Sequence, residues 1–93
     1  MEKDKIKILL VDDEPDIIEI LSFNLKQQGY KVFSASNGKE ALVQVEKVQP
    51  HLIILDVMMP VMDGIDTCEA IRKDKRNEEI IIMFLSARSE DYS

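Results

Sequence analysis

An α/β fold, with a parallel sheet covered by helices on both sides, is predicted by three observations. Short apolar, β-branched runs alternate with segments whose apolar residues recur at helical spacing. Two of the runs, 52–55 and 80–85, lack a polar face, as strands covered on both sides do. The chain has 93 residues, 45% hydrophobic and 32% charged, which suits one small folded domain rather than a disordered segment.

The elements follow in order. Ile6, Ile8, Leu9, Leu10 and Val11 form the first strand, and Asp12, Asp13 and Glu14 follow at once. Pro15 suits the first position of a helix, where its missing N–H costs nothing. Ile17, Ile18, Leu21 and Leu25 carry that helix, and Gly29 stops it. Residues 30–35 read as the second strand. Asn37 caps the next helix, with Glu40 three positions on as in a capping box. Ala41, Leu42, Val45 and Val48 form its buried stripe, and Pro50 ends it. Residues 52–55 are the third strand, closed by Asp56. The loop 57–63 contains Pro60, and a third helix over about 64–73 buries Ile65, Cys68 and Ile71. A polar connection, 74–79, leads to the fourth strand, 80–85, and then to Ser86 and Ala87. No repeat or low-complexity segment interrupts the series.

Composition excludes several functions. The longest apolar run is six residues, where a membrane-spanning helix needs about 20, and no signal peptide is recognisable. A net charge of −6 argues against direct nucleic acid binding by this segment. Five per cent aromatic residues and no Trp argue against a base- or sugar-stacking surface. The single Cys68 excludes an internal disulfide and suits a reducing, cytoplasmic setting; its helical spacing with Ile65 and Ile71 makes it a core residue. His51 reads as an exposed loop histidine. Arg72, Lys73, Lys75 and Arg76 read as a solvated basic helix end, and Arg88 is assigned no role. Met58, Met59 and Met62 are expected to pack around the third strand.

In a parallel sheet, sites form beyond the carboxyl ends of the strands. Asp12 and Asp13 follow the first strand and Asp56 ends the third, so neighbouring strands would bring three carboxylates to one edge. Two carboxylates about 5 Å apart repel by roughly 3 kcal/mol at an effective dielectric near 20. The natural counter-charge is a hard divalent cation with oxygen ligands, and Mg2+ is favoured because it keeps waters and accepts phosphate oxygens. The alternative is that acids merely populate strand-end loops. A rigid Asp56 beside such an ion can attack a phosphoryl group in line and form an acyl phosphate. Ser86, after the fourth strand, offers a hydroxyl to a phosphoryl oxygen, although a serine there is also an ordinary strand-end residue.

These residues resemble a known family. Asp12 and Asp13, the run Leu55, Asp56, Val57, Met58, Met59, Pro60, Val61, Met62, Asp63, Gly64, and the pair Ser86 and Ala87 are similar to the bacterial two-component response-regulator receiver domain, over essentially all of residues 1–93. The resemblance implies a flavodoxin-like doubly wound sheet of strand order 2-1-3-4, continued by a fifth strand in complete members. It implies a phosphoprotein of a phosphorelay, a signalling domain with self-catalysed phosphotransfer rather than a turnover enzyme. Asp56 would be the phosphoacceptor for a sensor histidine kinase or phosphotransfer protein. Asp13, Asp56 and the backbone carbonyl of Met58 would ligate Mg2+, with Asp12 acting through water. Ser86 would be the switch hydroxyl, and Pro60 and Gly64 would shape the loop. A downstream output domain in the parent protein is a further expectation.

The family continues through a fourth helix, whose opening residues 89–92 resemble, a fifth strand with a phosphoryl-pairing lysine, and a fifth helix. The chain therefore reads as incomplete at its C-terminus. Lys73 and Lys75 lie at the far end of the third helix, and no lysine here matches that role. Residues 80–85 would then be an apolar edge strand open to pairing, which makes a dimer an expectation. Other functions stand beside this one. A scaffold without phosphorylation is the alternative. An aspartyl-phosphate phosphatase is disfavoured by Met58 two residues after Asp56, and a P-loop kinase by the missing G-x-x-x-x-G-K-[ST].

Overall fold

The structure, a computed structural model, describes residues 2–85. Four strands, β1 (Lys7–Val11), β2 (Lys31–Ala35), β3 (Leu52–Asp56) and β4 (Ile81–Leu85), alternate with three helices, α1 (Pro15–Gln27), α2 (Gly38–Val48) and α3 (Gly64–Arg72). Short 3-10 turns cover Lys3–Lys5 and Lys75–Asn77. The strands form one parallel sheet of order β2-β1-β3-β4, as expected. Ser86, Ala87 and the helix opening read at 89–92 lie outside the described residues.

Strand periodicity sorts the core. Leu9, Val11, Ile53 and Leu55 share one face and pack with Ala41 and Val45 of α2 and Ile71 of α3. Each such aliphatic side chain contributes about 1.5–3 kcal/mol on burial. Ile8 and Ile54 point to the opposite face, where Leu25 of α1 lies. α1 packs over β1 and β2 on that face, which explains why β1 has no polar side, while Ile54 of β3 is only half-buried there.

Local chemistry sets the element ends. Pro15 is the first residue of α1. The Asn37 side chain accepts from Glu40 N–H at 2.8 Å and caps α2. The reciprocal arm of the capping box is not made: the Glu40 carboxylate accepts from Ser36 Oγ at 3.0 Å. α2 stops at Gln49, which turns left-handed at φ 52° ahead of Pro50.

Three expectations are corrected. Ile65 is 48% exposed, and the buried stripe of α3 is Gly64, Thr67 and Ile71, with Cys68 partly buried against it. Thr67 tolerates full burial because its hydroxyl donates to Asp63 O at 2.8 Å. His51 is not an exposed loop residue: half-buried at the start of β3, its Nδ1 accepts from Lys7 N–H at 3.0 Å, so the ring ties β3 to β1. Within the polar connection 74–79, Asn77 is buried and its Nδ2 donates to Ile71 O. Of the three methionines, only Met59 joins the core, while Met58 is exposed and Met62 partly buried.

The two outer strands differ. On β2, Gln44 Nε2 donates to Ser34 O at 3.1 Å. On β4, Ile81, Met83 and Phe84 are exposed among the described residues.

Candidate functional site

Register alone brings the acids together. Val11 pairs with Leu55, so the next residues, Asp12 and Asp56, stand side by side at the carboxyl edge. Asp12 N–H continues the β1–β2 ladder to Ala35 O at 3.2 Å, and Val57 N–H reaches Leu85 O across from β3. Both carboxylates are therefore borne by backbone fixed on each side. One oxygen from each of Asp12, Asp13 and Asp56 falls within 4.8 Å of the others. Asp12 and Asp56 are buried, and Asp13 is exposed at the mouth.

Each buried carboxylate is oriented by its own loop. Asp12 Oδ1 accepts from Glu14 N–H at 2.9 Å, and Asp56 Oδ1 accepts from Met58 N–H at 3.1 Å.

The electrostatics follow from this crowding. Burial is the largest cause that pushes the Asp56 carboxyl up from its ordinary value; the Met58 N–H opposes it, and the charges of Asp12, Asp13 and Glu14 add to the rise. Asp12 is also raised, first by burial, against the Glu14 N–H and with the Asp13 charge. Sequence reasoning did not include Glu14 among the site residues; its position directly after the Asp pair was the available signal.

The loop beyond Asp56 is held at close quarters. Gly64 N–H donates to Val57 O at 3.0 Å. A Cβ on Gly64 would meet the Asp56 carbonyl and lie 2.8 Å from Val57 Cα, so only glycine lets α3 start this close to the strand. Met62 N–H donates to Pro60 O at 2.7 Å, which closes a three-residue turn around Val61. Pro60 and Gly64 thus stand at the bend and the end of the loop. Ser86 lies outside the described residues.

The donor set fits a small hard dication. Hard carboxylate oxygens converge, two of them desolvated and short of counter-charge, and such a set suits Mg2+ with retained waters better than softer metals.

Comparison with known proteins agrees with this geometry. Residues 8–93 match the family described as response regulator receiver domain. The chain is 45% identical over 86 residues to the alkaline phosphatase synthesis transcriptional regulatory protein PhoP of Bacillus subtilis, covering 92% of this chain and 35% of that protein. It therefore spans about a third of the length of the curated relatives it matches. Among solved structures, the response regulator protein TrrA of Thermotoga maritima, in complex with Mg(2+)-BeF, superposes with TM-score 0.82 at 40% identity, over 91% of this chain and 72% of that one. The chemotaxis protein CheY4 of Vibrio cholerae superposes with TM-score 0.82 at 33% identity, over 92% of this chain and 75% of that one.

Proposed function

The chain belongs to the response regulator receiver domains, signalling domains of flavodoxin-like fold, and from that premise we propose that Asp56 is its phosphoacceptor in two-component signalling. The convergence of Asp12, Asp13 and Asp56 at the end of β1 and β3 carries this reading.

Asp56 Oδ1 accepts from the Met58 N–H and keeps a second lone pair for the cation, and Oδ2 is the attacking oxygen. That oxygen forms the new bond to phosphorus as the bond from phosphorus to the donor breaks, and the donor, a phosphorylated histidine side chain, departs as imidazole and takes up a proton. Asp13, Asp56 and the Met58 carbonyl would hold Mg2+ directly, with Asp12 acting through water. When bound, the ion neutralises charge that develops on the phosphoryl oxygens. Asp12 and Asp13 thus serve to collect the cation at the acceptor. Ser86 would supply a hydroxyl to the phosphoryl group and act as the switch. None of the 93 residues is assigned the role of the family's fifth-strand lysine.

The partner proposed is a sensor histidine kinase or phosphotransfer protein, in the cytoplasm. The likeness to a transcriptional regulatory protein supports an output in gene control by another part of the parent protein. No helix among the described residues is long and apolar enough to cross a membrane.

Incubation with a small acyl-phosphate donor and Mg2+ should add one phosphate, read by intact mass, and Asp56→Asn should abolish the addition. Equal labelling of the Asn variant overturns the assignment. A second reading, a non-phosphorylated scaffold that pairs through β4, is favoured by the exposure of Ile81, Met83 and Phe84. Its signature is concentration-dependent association with no Mg2+-dependent rise in melting temperature.

A further inference from the structure

The loop between β3 and α3 has a shape that it does not hold by itself. Val61 sits at φ 70°, and its side chain is almost fully exposed. A β-branched residue in that region is strained, and such a conformation persists only where its surroundings over-determine it. The exposed side chain of Val61 has little packing to supply that constraint. The constraint must come from the residues on either side.

On the C-terminal side it comes from α2. Gly38, the first residue of α2, is buried. A Cβ there would fall inside contact distance of Thr67 Oγ1, and would lie 2.8 Å from Cγ and 2.9 Å from Sδ of Met62. Met62 is the residue whose N–H closes the turn around Val61. Thr67 is fully buried, and its hydroxyl donates to the carbonyl of Asp63, the residue that caps α3 by accepting from Asp66 N–H at 2.9 Å. One backbone position of α2 therefore seats both the last apolar side chain of the loop and the first turn of α3. At the other end of the loop, Met58 N–H is bonded to Asp56 Oδ1.

We propose that Gly38 is a positioning residue for the cation site: its bare Cα lets α2 clamp Met62 and Thr67, and that clamp fixes the loop that presents the Met58 backbone beside Asp56. The inference rests on the phosphoacceptor reading, which makes the Met58 carbonyl a ligand. The atoms nearest the Gly38 Cα face belong to Thr67 and Met62, so its effect passes through the loop.

The test is Gly38→Ala in the full chain, with Mg2+ alone as the probe. The readout is the Mg2+ concentration that gives half of the metal-dependent rise in melting temperature. We expect it to increase about tenfold, the scale seen when residues that orient metal ligands are altered. Phosphorylation by a small acyl-phosphate donor should slow at limiting Mg2+ and recover at saturating Mg2+. Met62→Ala removes the loop's half of the clamp without adding a Cβ, and should shift the half-saturation in the same direction. It decides the matter alone where Gly38→Ala does not fold. A lower melting temperature with unchanged half-saturation overturns the inference, because Gly38 then only packs. A wild-type chain with no Mg2+ response overturns the phosphoacceptor reading and this inference together, whereas a responsive wild type with equally responsive variants overturns this inference alone.

Discussion

The residue-level property that governs the site is unbalanced negative charge on fixed backbone. Asp56→Asn keeps the shape and can still accept from the Met58 N–H, but it removes one charge from the cluster. In metal-free buffer at neutral pH this variant should be more stable than wild type, by on the order of 1 kcal/mol once solvent screening is allowed for. Urea unfolding with a chelator present checks this, and a clear loss of stability would contradict the crowding argument. The pH dependence has a definite sign. The folded chain holds Asp12 and Asp56 above their ordinary values, so it binds those protons more tightly than the unfolded chain does. Their contribution favours folding in acid and is lost as pH rises from the ordinary carboxylate pKa through the raised values. The stability gap between Asp56→Asn and metal-free wild type should therefore widen with pH across that window and then level off. These acids were legible in the sequence because each abuts a strongly apolar strand. The burial of Thr67 was not, since it depends on a hydroxyl finding the Asp63 carbonyl, which a pattern of apolar residues does not record.

At the scale of elements, alternation and punctuation were enough to place the four strands and three helices. Asn37 and Pro15 start helices where capping chemistry says they should. Asn37→Ala should cost about 1 kcal/mol, measured as a lower urea midpoint, because the Glu40 N–H loses its acceptor. An unchanged midpoint would show that Ser36 and Glu40 hold the turn without it. What periodicity could not give was the orientation of a short helix. α3 spans only Gly64–Arg72, so its apolar residues are few and two alternative stripes fit them almost equally. The choice is made by α2, against which Thr67 packs beside Gly38, and Ile65 is left outside. His51 failed as a prediction for a related reason: its partner is a backbone N–H 44 positions away in another strand.

For the molecule as a whole, the site is a place where folding and cation binding share free energy. Mg2+ that binds only the folded chain should raise its stability by about 1.4 kcal/mol for each tenfold of free Mg2+ above the dissociation constant. A melting temperature that climbs with Mg2+, and much less so in Asp56→Asn, is the expected result. A Mg2+-independent curve in wild type would favour the scaffold reading. The parallel sheet itself was readable from strands with no polar face, yet the convergence of acids needed one fact that the pattern lacked, namely that β1 and β3 are neighbours. The family resemblance supplied it, and the pairing of Val11 with Leu55 bears it out.

The hydrogen bond from Gln44 to the Ser34 carbonyl has a consequence for colloidal behaviour. A foreign strand that tried to extend the sheet past β2 would have to evict an amide already seated there, and would meet the exposed charge of Lys31 beside it. Fibrous growth through this sheet requires two receptive rims per molecule, one to give and one to take. With the β2 rim guarded in this way, the sheet offers a poor template for a further strand on that side.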